Sequence, residues 1–188
     1  MGLDYIDMMI IHSPQPWAEW RRENRYFNEN KQVWKALEDA YKAGKVKAIG
    51  VSNFLRDDLE NLLSDCEINP MVNQVLAHIG NVPAEFMAIC NEWNILVEAY
   101  SPIAHGEILN NDTLAAITQK YGVSTAQLCI KYVLELGAVA LPKTANPDHM
   151  KANATLDFCI SEKDMQALKA IDFNEYGKFS MFPVFSGK

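Results

Sequence analysis

The chain has 188 residues, of which 49% are hydrophobic and 22% are charged, and this composition excludes a disordered chain, a collagen-like repeat and a disulfide-rich miniprotein. The formal net charge of −7 argues against a nucleic-acid-binding protein, because no excess of basic residues is available to neutralise phosphates. The length predicts a single domain over residues 1–188 that buries a substantial core.

Cysteine usage and the lack of targeting patterns suggest a cytoplasmic protein. The four cysteines are far apart, with no C-x-x-C pair and no histidine at zinc spacing, so no metal site is predicted. Each lies in an apolar pattern, which predicts buried free thiols in a reducing compartment. Neither a signal-peptide pattern nor an apolar stretch of 18 residues is present, and we expect no membrane partner. The cysteines are Cys66, Cys90, Cys129 and Cys159.

Short apolar runs alternate with helical patterns along the chain. The first run, Tyr5–His12, has the length of a buried strand. From Lys31 the apolar residues repeat with helical spacing, and Asn30 and Gly44 are placed to cap the start and the end of that helix. Further strands are predicted at Ala48–Val51, Met71–Val75, Leu96–Tyr100 and Ala138–Leu141.

The later helices have recognisable starts. Ser124 and Gln127 form a capping box that opens a helix running through Leu134. Asn146 followed by Pro147 is a strong helix start, because proline is favoured at the first helical position. Helices are also predicted around Leu59–Leu63, over Ala84–Glu92 and from Ser161, and the tail from Phe173 is aromatic and irregular.

Two architectures fit five strands that alternate with helices. The strands are largely apolar, so we expect them to be buried on both faces, as in a parallel α/β sheet. An open doubly wound sheet is complete at five strands, but the glycine-rich first turn that cradles a dinucleotide is absent. A (β/α)8 barrel needs three more units and typically about 250 residues.

Polar side chains follow each predicted strand, and in a barrel these positions lie on the C-terminal rim, where barrel active sites are built. One such residue means little, and a lone histidine is more often structural than catalytic. Serine, asparagine and glutamine can bind a carboxamide, tyrosine can stack on a flat ring, and a helix N-terminus favours a phosphate. Together these groups describe a nicotinamide dinucleotide. The residues are His12, Ser52, Asn53, Gln74, Tyr100, Ser101, Lys143 and Thr144.

An ordered set of segments resembles the aldo-keto reductases over essentially the whole chain. The resemblance implies a truncated (β/α)8 TIM barrel that contains parallel strands 4 to 8 with their helices. It also implies an oxidoreductase that uses NADPH, or less often NADH, to reduce small aldehydes and ketones. The segments are Gly2–Asp7 leading to His12–Pro14, Gly50–Phe54, Val72–Val75, Ala99–Ile103 and Leu141–Thr144.

The resemblance also implies a role for individual residues. His12 looks like the family's active-site histidine, which orients and polarises the substrate carbonyl. Ser52, Asn53 and Gln74 resemble the residues that hold the nicotinamide carboxamide, and Tyr100 resembles the aromatic residue stacked on the nicotinamide ring. Ser101 and Ile103 resemble contacts to the pyrophosphate. The adenosine-phosphate pocket is matched by Lys143, Thr144, His149 and Asn153, and a substrate-pocket wall by Trp17 and Trp20.

The main departure from the family is the proton donor. Residues 1–7 match the entry to the family's fourth strand, so we expect the three units that carry the catalytic tyrosine, lysine and aspartate to be missing. Hydride transfer to a carbonyl needs an acid, and we therefore expect the chain to be inactive alone. Two alternatives stay open: a non-catalytic nucleotide-binding or assembly module, and a fragment complemented by another chain.

Smaller departures concern the cofactor and the open side of the barrel. His149 stands where NADPH-using members have an arginine, Ala152 replaces an acidic residue, and Leu76 replaces a glutamate, so cofactor binding is expected to be weakened or lost. Five strands leave two unpaired edges, which predicts a homo-oligomer that covers the open side. The run Arg21–Arg25 is interpreted as a solvated stretch.

Overall fold

The sheet has five strands whose spatial order follows the sequence. The computed structural model describes residues 2–185. The strands form one sheet in the order β1-β2-β3-β4-β5, and the pairs β1–β2, β2–β3 and β4–β5 are parallel. Strand order in a doubly wound sheet reverses at a switch point, and no reversal occurs here, which favours the barrel-type architecture. The strands are β1 (Ile6–Ile11), β2 (Val46–Ser52), β3 (Val72–Leu76), β4 (Leu96–Tyr100) and β5 (Val139–Leu141).

The helices confirm three of the predicted starts. The side chains of Ser124, Asn146 and Ser161 each accept a hydrogen bond from a backbone N–H of the first turn that follows. None of the helices described over residues 2–185 combines the length and the apolar character of a membrane span. The helices are α1 (Phe27–Lys42), α2 (Arg56–Leu63), α3 (Ala84–Glu92), α4 (Asp112–Tyr121), α5 (Thr125–Glu135), α6 (Pro147–Ala154) and α7 (Glu162–Lys169).

The chain divides into two compact units, Met1–Val75 with Ala84–Val97 and Leu76–Pro83 with Glu98–Lys188. In the first unit, the indole of Trp34 on α1 is buried and its Nε1–H donates to the carbonyl of Ile68, 3.0 Å away. The buried carboxylate of Glu38, one turn further along α1, accepts hydrogen bonds from two backbone N–H groups in the same loop. These contacts fasten α1 to the loop that leads into β3.

In the second unit, one face of α5 is fully buried, and the C-terminal tail packs against the buried His78. Leu128, Cys129 and Tyr132 are almost completely buried on α5. His78 is also buried, and its Nε2 lies 2.9 Å from the hydroxyl of Tyr176. Over residues 173–185 the tail is irregular apart from 3-10 turns at Gly177–Met181 and Pro183–Phe185, in agreement with the sequence-based expectation.

One predicted helix start is wrong, and one observed helix has no counterpart among the predicted elements. Helix α1 begins at Phe27 and not at Lys31, because the Asn30 amide lies inside the helix and donates to the carbonyl of Pro14 (2.9 Å) instead of capping. Helix α4 was not predicted, although Asn111 caps it and Gly122 ends it in the left-handed conformation. The apolar stripe of α4 is short, so its helical periodicity is difficult to recognise in the sequence.

Burial also differs from expectation at β1 and at two cysteines. Ile6 and Met9 of β1 are 41% and 46% exposed, because β1 is an edge strand with β2 as its neighbour on one side. All four cysteines are free, as predicted, but only Cys90 and Cys129 are buried. Cys159 is exposed and Cys66 is half-buried.

Candidate active site

In the first unit, hydrogen bonds join the residues at the ends of β1 and β2 to each other and to Gln74, which lies within β3. The Ser52 hydroxyl donates to the carbonyl of Gln74 (2.9 Å), and the backbone N–H of Asn53 donates to the same oxygen (2.9 Å). The Asn53 side-chain amide donates to the Ser52 hydroxyl (3.0 Å) and to the carbonyl of His12 (3.2 Å). The structure therefore brings these four predicted residues together at the carboxyl ends of three neighbouring strands.

The backbone around Asn53 explains this arrangement. Asn53 has a φ of 61°, in the left-handed region that asparagine tolerates better than most residues. Three residues earlier, Gly50 lets β2 approach β3, since a Cβ at this position would overlap the Val72 side chain and lie 2.8 Å from its carbonyl oxygen. Close strand packing and a left-handed turn thus place the buried side chains of Ser52 and Asn53 next to the end of β1.

A cleft of about 400 Å³ opens beside His12 in the same unit. The edge of the Trp17 ring meets the His12 ring at a centroid distance of 5.6 Å, and Trp20 lies 5.0 Å from Trp17. Trp17 is 38% exposed, and it lines the cleft whereas Trp20 does not. The cleft has the size of a small-molecule site and presents an aromatic wall next to an imidazole. It is lined by residues 11–17 and by Tyr26, Glu29, Asn30 and Val33.

The hydroxyl of Tyr26 in this cleft donates a hydrogen bond to the carboxylate of Glu19, 2.8 Å away. This bond and the negative charge of Glu19 raise the pKa of the Tyr26 phenol. A tyrosine that protonates an alkoxide near neutral pH needs the opposite shift, which a neighbouring cation produces. Tyr26 is therefore poorly suited to act as an acid.

The loop over residues 13–26 is fastened by residues that the sequence did not single out. The buried Gln15 side chain donates to the carbonyls of Arg22 and Asn24 and accepts from the backbone N–H of Arg21. Arg21 and Arg25 form ion pairs with the buried carboxylate of Asp58. The interpretation of Arg21–Arg25 as a solvated stretch is therefore wrong for these two arginines.

In the second unit, Tyr100 ends β4 and a turn with unusual backbone conformation follows. Ser101, Ala104 and His105 have φ values of 53°, 45° and 56°, which cost energy for residues other than glycine. The Ser101 hydroxyl lies 3.2 Å from Nε2 of His105. Strained backbone of this kind is frequent at ligand-binding turns. Tyr100, Ser101 and the half-buried Ile103 thus share one short segment.

The remaining predicted residues lie after β5 and on α6. Tyr100 is aligned with Leu141, the last residue of β5. Lys143 and Thr144 follow β5 after one intervening proline. The Thr144 hydroxyl oxygen accepts from the N–H of Asn146 (3.1 Å), whose side chain in turn accepts from the N–H of Asp148 (2.9 Å). Lys143 is exposed just before α6, His149 is exposed in its first turn, and the half-buried Asn153 lies in its last turn. Each unit thus collects its own part of the predicted set.

Two further histidines have structural surroundings. Burial lowers the pKa of His78, whose ring is packed against Phe173 and Tyr176 in the second unit. The His105 ring stacks on Phe179 at a centroid distance of 4.1 Å, and its pKa is also lowered by burial. Both rings therefore favour the neutral form and hold the tail in place.

Comparison with known proteins gives consistent matches. A model of the "Aldo/keto reductase family" matches residues 1–172. Glyoxal reductase of Bacillus subtilis is 39% identical over 176 residues, which are 93% of this chain and 60% of that protein. The chain thus spans about 60% of the length of the curated relatives it matches.

Solved structures agree with the sequence matches. The aldo-keto reductase MGS-M4, from a Medee basin deep-sea metagenome library, has a TM-score of 0.83 and 33% identity; the match covers 91% of this chain and 61% of that one. An aldo-keto reductase of Bombyx mori in complex with NADP has a TM-score of 0.79 and 27% identity; the match covers 98% and 64%. With the parallel five-stranded sheet, these likenesses identify the fold as a partial (β/α) barrel.

Proposed function

Since the chain belongs to the aldo/keto reductase family of oxidoreductases, we propose that it is the cofactor-holding part of a nicotinamide-dependent reductase of aldehydes and ketones. The observation that carries this proposal is the hydrogen-bonded group at the ends of β1, β2 and β3. There the Asn53 amide joins the end of β1 to β2, and the Ser52 hydroxyl joins β2 to β3. These strands correspond to the fourth to sixth of the family barrel in our proposal, with β4 and β5 as the seventh and eighth.

The donor set fits a nicotinamide dinucleotide. Ser52, Asn53 and Gln74 supply hydroxyl and amide groups for the nicotinamide carboxamide, and Tyr100 supplies a flat face for the ring. For the pyrophosphate we propose Ser101 and Ile103, and for the adenosine phosphate the segment with Lys143, Thr144, His149 and Asn153.

The choice between NADPH and NADH depends on the exposed segment around α6. In our proposal His149 faces the 2′-phosphate, where a neutral imidazole lacks the permanent charge and the forked donors of an arginine. Ala152 and Leu76 remove two carboxylates that the family pattern provides. We therefore propose weakened binding with little discrimination between the two cofactors. Titration of the cofactor fluorescence is expected to give dissociation constants within about tenfold of each other.

We propose that His12 orients the substrate carbonyl. It lies on the cleft wall next to Trp17, and an imidazole N–H can donate to a carbonyl oxygen and so polarise it. A bound reduced nicotinamide would supply hydride to the carbonyl carbon. The proton for the emerging alkoxide needs a separate acid, and Glu19 makes Tyr26 unsuitable. We therefore propose that these 188 residues alone are inactive.

Binding and turnover distinguish the candidate functions. We expect the purified chain to bind NADPH or NADH and to show no turnover with 4-nitrobenzaldehyde or with glyoxal, the aldehyde named by one relative. Robust turnover would overturn the proposed inactivity. Activity that appears only after a second polypeptide is added would support complementation. Binding without turnover under all conditions would favour a nucleotide-binding module, and a lack of binding would contradict the cofactor role.

The edge of the sheet supports a proposal about assembly. Ile6, Met8 and Met9 on β1 are each more than a third exposed, and an exposed apolar edge strand promotes association. We propose a single partial barrel domain, in the cytoplasm, whose β1 edge is covered by a second copy of the chain. Sedimentation at micromolar concentration is expected to show a dimer or a larger oligomer, and a monodisperse monomer would contradict this.

A further inference from the structure

The residues around His12 and Asn53 are linked into a closed circuit of contacts, in which side chains meet other side chains or a backbone carbonyl. The Asn53 amide donates to the His12 carbonyl, and the His12 ring contacts Trp17. Trp17 contacts Trp20, and the guanidinium of Arg21 lies 4.0 Å from the centroid of the Trp20 ring. Arg21 completes the circuit, because its Nη2 donates to the carbonyl of Asn53 at 3.3 Å.

Arg21 is the residue in this circuit with a buried counter-charge. Its Nη1 lies 3.6 Å from Oδ2 of Asp58, whose side chain is fully buried, while the Arg21 side chain is 24% exposed. Oδ1 of Asp58 accepts from Arg25 at 2.7 Å, and Oδ2 accepts from the backbone N–H of Leu55 at 2.9 Å. One buried carboxylate at the start of α2 thus anchors the loop over residues 13–26 at two points.

The backbone of the loop requires such an anchor. Arg21 and Tyr26 have φ values of 58° and 53°, and left-handed conformations at these residue types persist only where the surroundings impose them. The backbone N–H of Arg21 is held by the side chain of Gln15 at 3.1 Å. Because the backbone of Arg21 is fixed, its guanidinium can reach Trp20, Asn53 and Asp58 at the same time.

We infer that Arg21 is a positioning residue that locks the loop over residues 13–26 against the His12 end of β1. This inference rests on the proposed function, in which Asn53 holds the carboxamide and His12 orients the carbonyl. A guanidinium stacks its flat face on an aromatic ring while separate nitrogens donate in the plane of the group, whereas an ammonium has one tetrahedral nitrogen and no flat face. Arg21 therefore holds both the Trp20 ring and the Asn53 backbone. In this way it couples the substrate side of the site to the cofactor side.

The test compares Arg21→Ala with Arg22→Ala, a change at the exposed neighbour. The first readout is the His12 imidazole proton resonance, which the ring current of Trp17 displaces. We expect it to move toward its random-coil value in Arg21→Ala and in Asp58→Asn, and to stay in place in Arg22→Ala. The second readout is the dissociation constant for NADPH. We expect it to rise about five- to tenfold in Arg21→Ala, as for a lost charge-assisted hydrogen bond, and to stay unchanged in Arg22→Ala.

Arg21→Lys covers the case in which Arg21→Ala fails to fold. The lysine keeps the attraction to Asp58 but lacks the flat stacking face and the second donor nitrogen. The His12 resonance is therefore expected to move part of the way toward its random-coil value. An unmoved resonance in the folded variants, or an unchanged affinity in Arg21→Ala when the unaltered chain binds NADPH, would overturn the inference. If the unaltered chain binds no cofactor, the proposed function fails, and the His12 resonance alone still decides the role of Arg21.

Discussion

The side-chain amide of Asn53 donates a hydrogen bond of 3.2 Å to the backbone carbonyl of His12, 41 positions earlier in the chain. The end of β1 is therefore held by a side chain at the end of β2. In the proposed function His12 contacts the substrate and Asn53 contacts the cofactor. The hydrogen bond between them therefore fixes the spacing of the two binding positions. Changes at Asn53 are expected to affect both.

Asn53→Ala and Asn53→Gly separate the side-chain role of Asn53 from its backbone role. Both variants lose the amide, but glycine adopts the left-handed conformation without strain. We expect Asn53→Ala to lower the free energy of unfolding by about 2–3 kcal/mol and Asn53→Gly by about 1 kcal/mol. Both should weaken NADPH binding about tenfold in a fluorescence titration. Binding by Asn53→Gly that matches the unaltered chain would argue against the amide as a cofactor ligand.

Gly50→Ala is expected to be more harmful than Gly44→Ala. At Gly50 a Cβ would overlap the Val72 side chain between two paired strands, and overpacking of this kind costs about 1–3 kcal/mol. A Cβ at Gly44 would have no atom within 4 Å beyond the adjacent residues, and the cost is that of the left-handed φ of 70°, about 1 kcal/mol. Urea denaturation of the two variants checks the order. Equal losses would show that β2 and β3 have room to separate.

Asp164 should make stability depend on pH below about 4. Lys120, Tyr121 and Ser161 donate to its carboxylate and hold its pKa well below the usual 3.8. Because the folded pKa is depressed, the contribution is complete above the unfolded pKa and is lost as the pH falls through the folded value.

Urea midpoints measured from pH 7 to pH 2.5 test this dependence. The gap between the unaltered chain and Asp164→Asn should be widest near neutral pH and narrow below pH 4. Asp157→Asn, at an exposed carboxylate, serves as the matched control. A gap that stays constant over the whole range would contradict the expected linkage.

The four cysteines should react with a thiol reagent in the order of their exposure. Burial raises the pKa of Cys90 to about 11 and that of Cys129 to about 12, so both thiols stay protonated at pH 8. Cys159 is exposed, and Cys66 is half-buried with a raised pKa. Mass spectrometry after iodoacetamide treatment should find Cys159 labelled first, Cys66 later, and the other two only in urea. Early labelling of Cys129 would indicate that α5 opens readily.

Local patterns in the sequence predict much of this fold. The capping box at Ser124 and the Asn146-Pro147 start are complete within a few residues, so the helix starts follow from the sequence. The strands were recognised for the same reason, since apolar runs are local. The exposure of β1 could not be predicted in this way, because it depends on which neighbours the strand has in space.

The supports of the site depend on contacts between distant positions. Asp58 pairs with Arg25 across 33 positions, and the Asn30 amide reaches Pro14 across 16. No short pattern encodes such pairs, so the sequence alone favours a cap at Asn30 and a solvated Arg21–Arg25. The ends of the strands were easier to find, because polar residues directly after apolar runs are visible in the sequence.

The most direct test of the proposed cofactor site is the response of the Asn53 and Gln74 side-chain amides to added cofactor. In a 15N-labelled chain, both amide resonances are expected to shift with saturation when NADPH or NADH is added. Adenosine 2′,5′-bisphosphate, which lacks the nicotinamide, should leave both in place. Saturable NADPH binding that leaves both amide resonances unmoved would contradict the assignment of the carboxamide to the ends of β2 and β3.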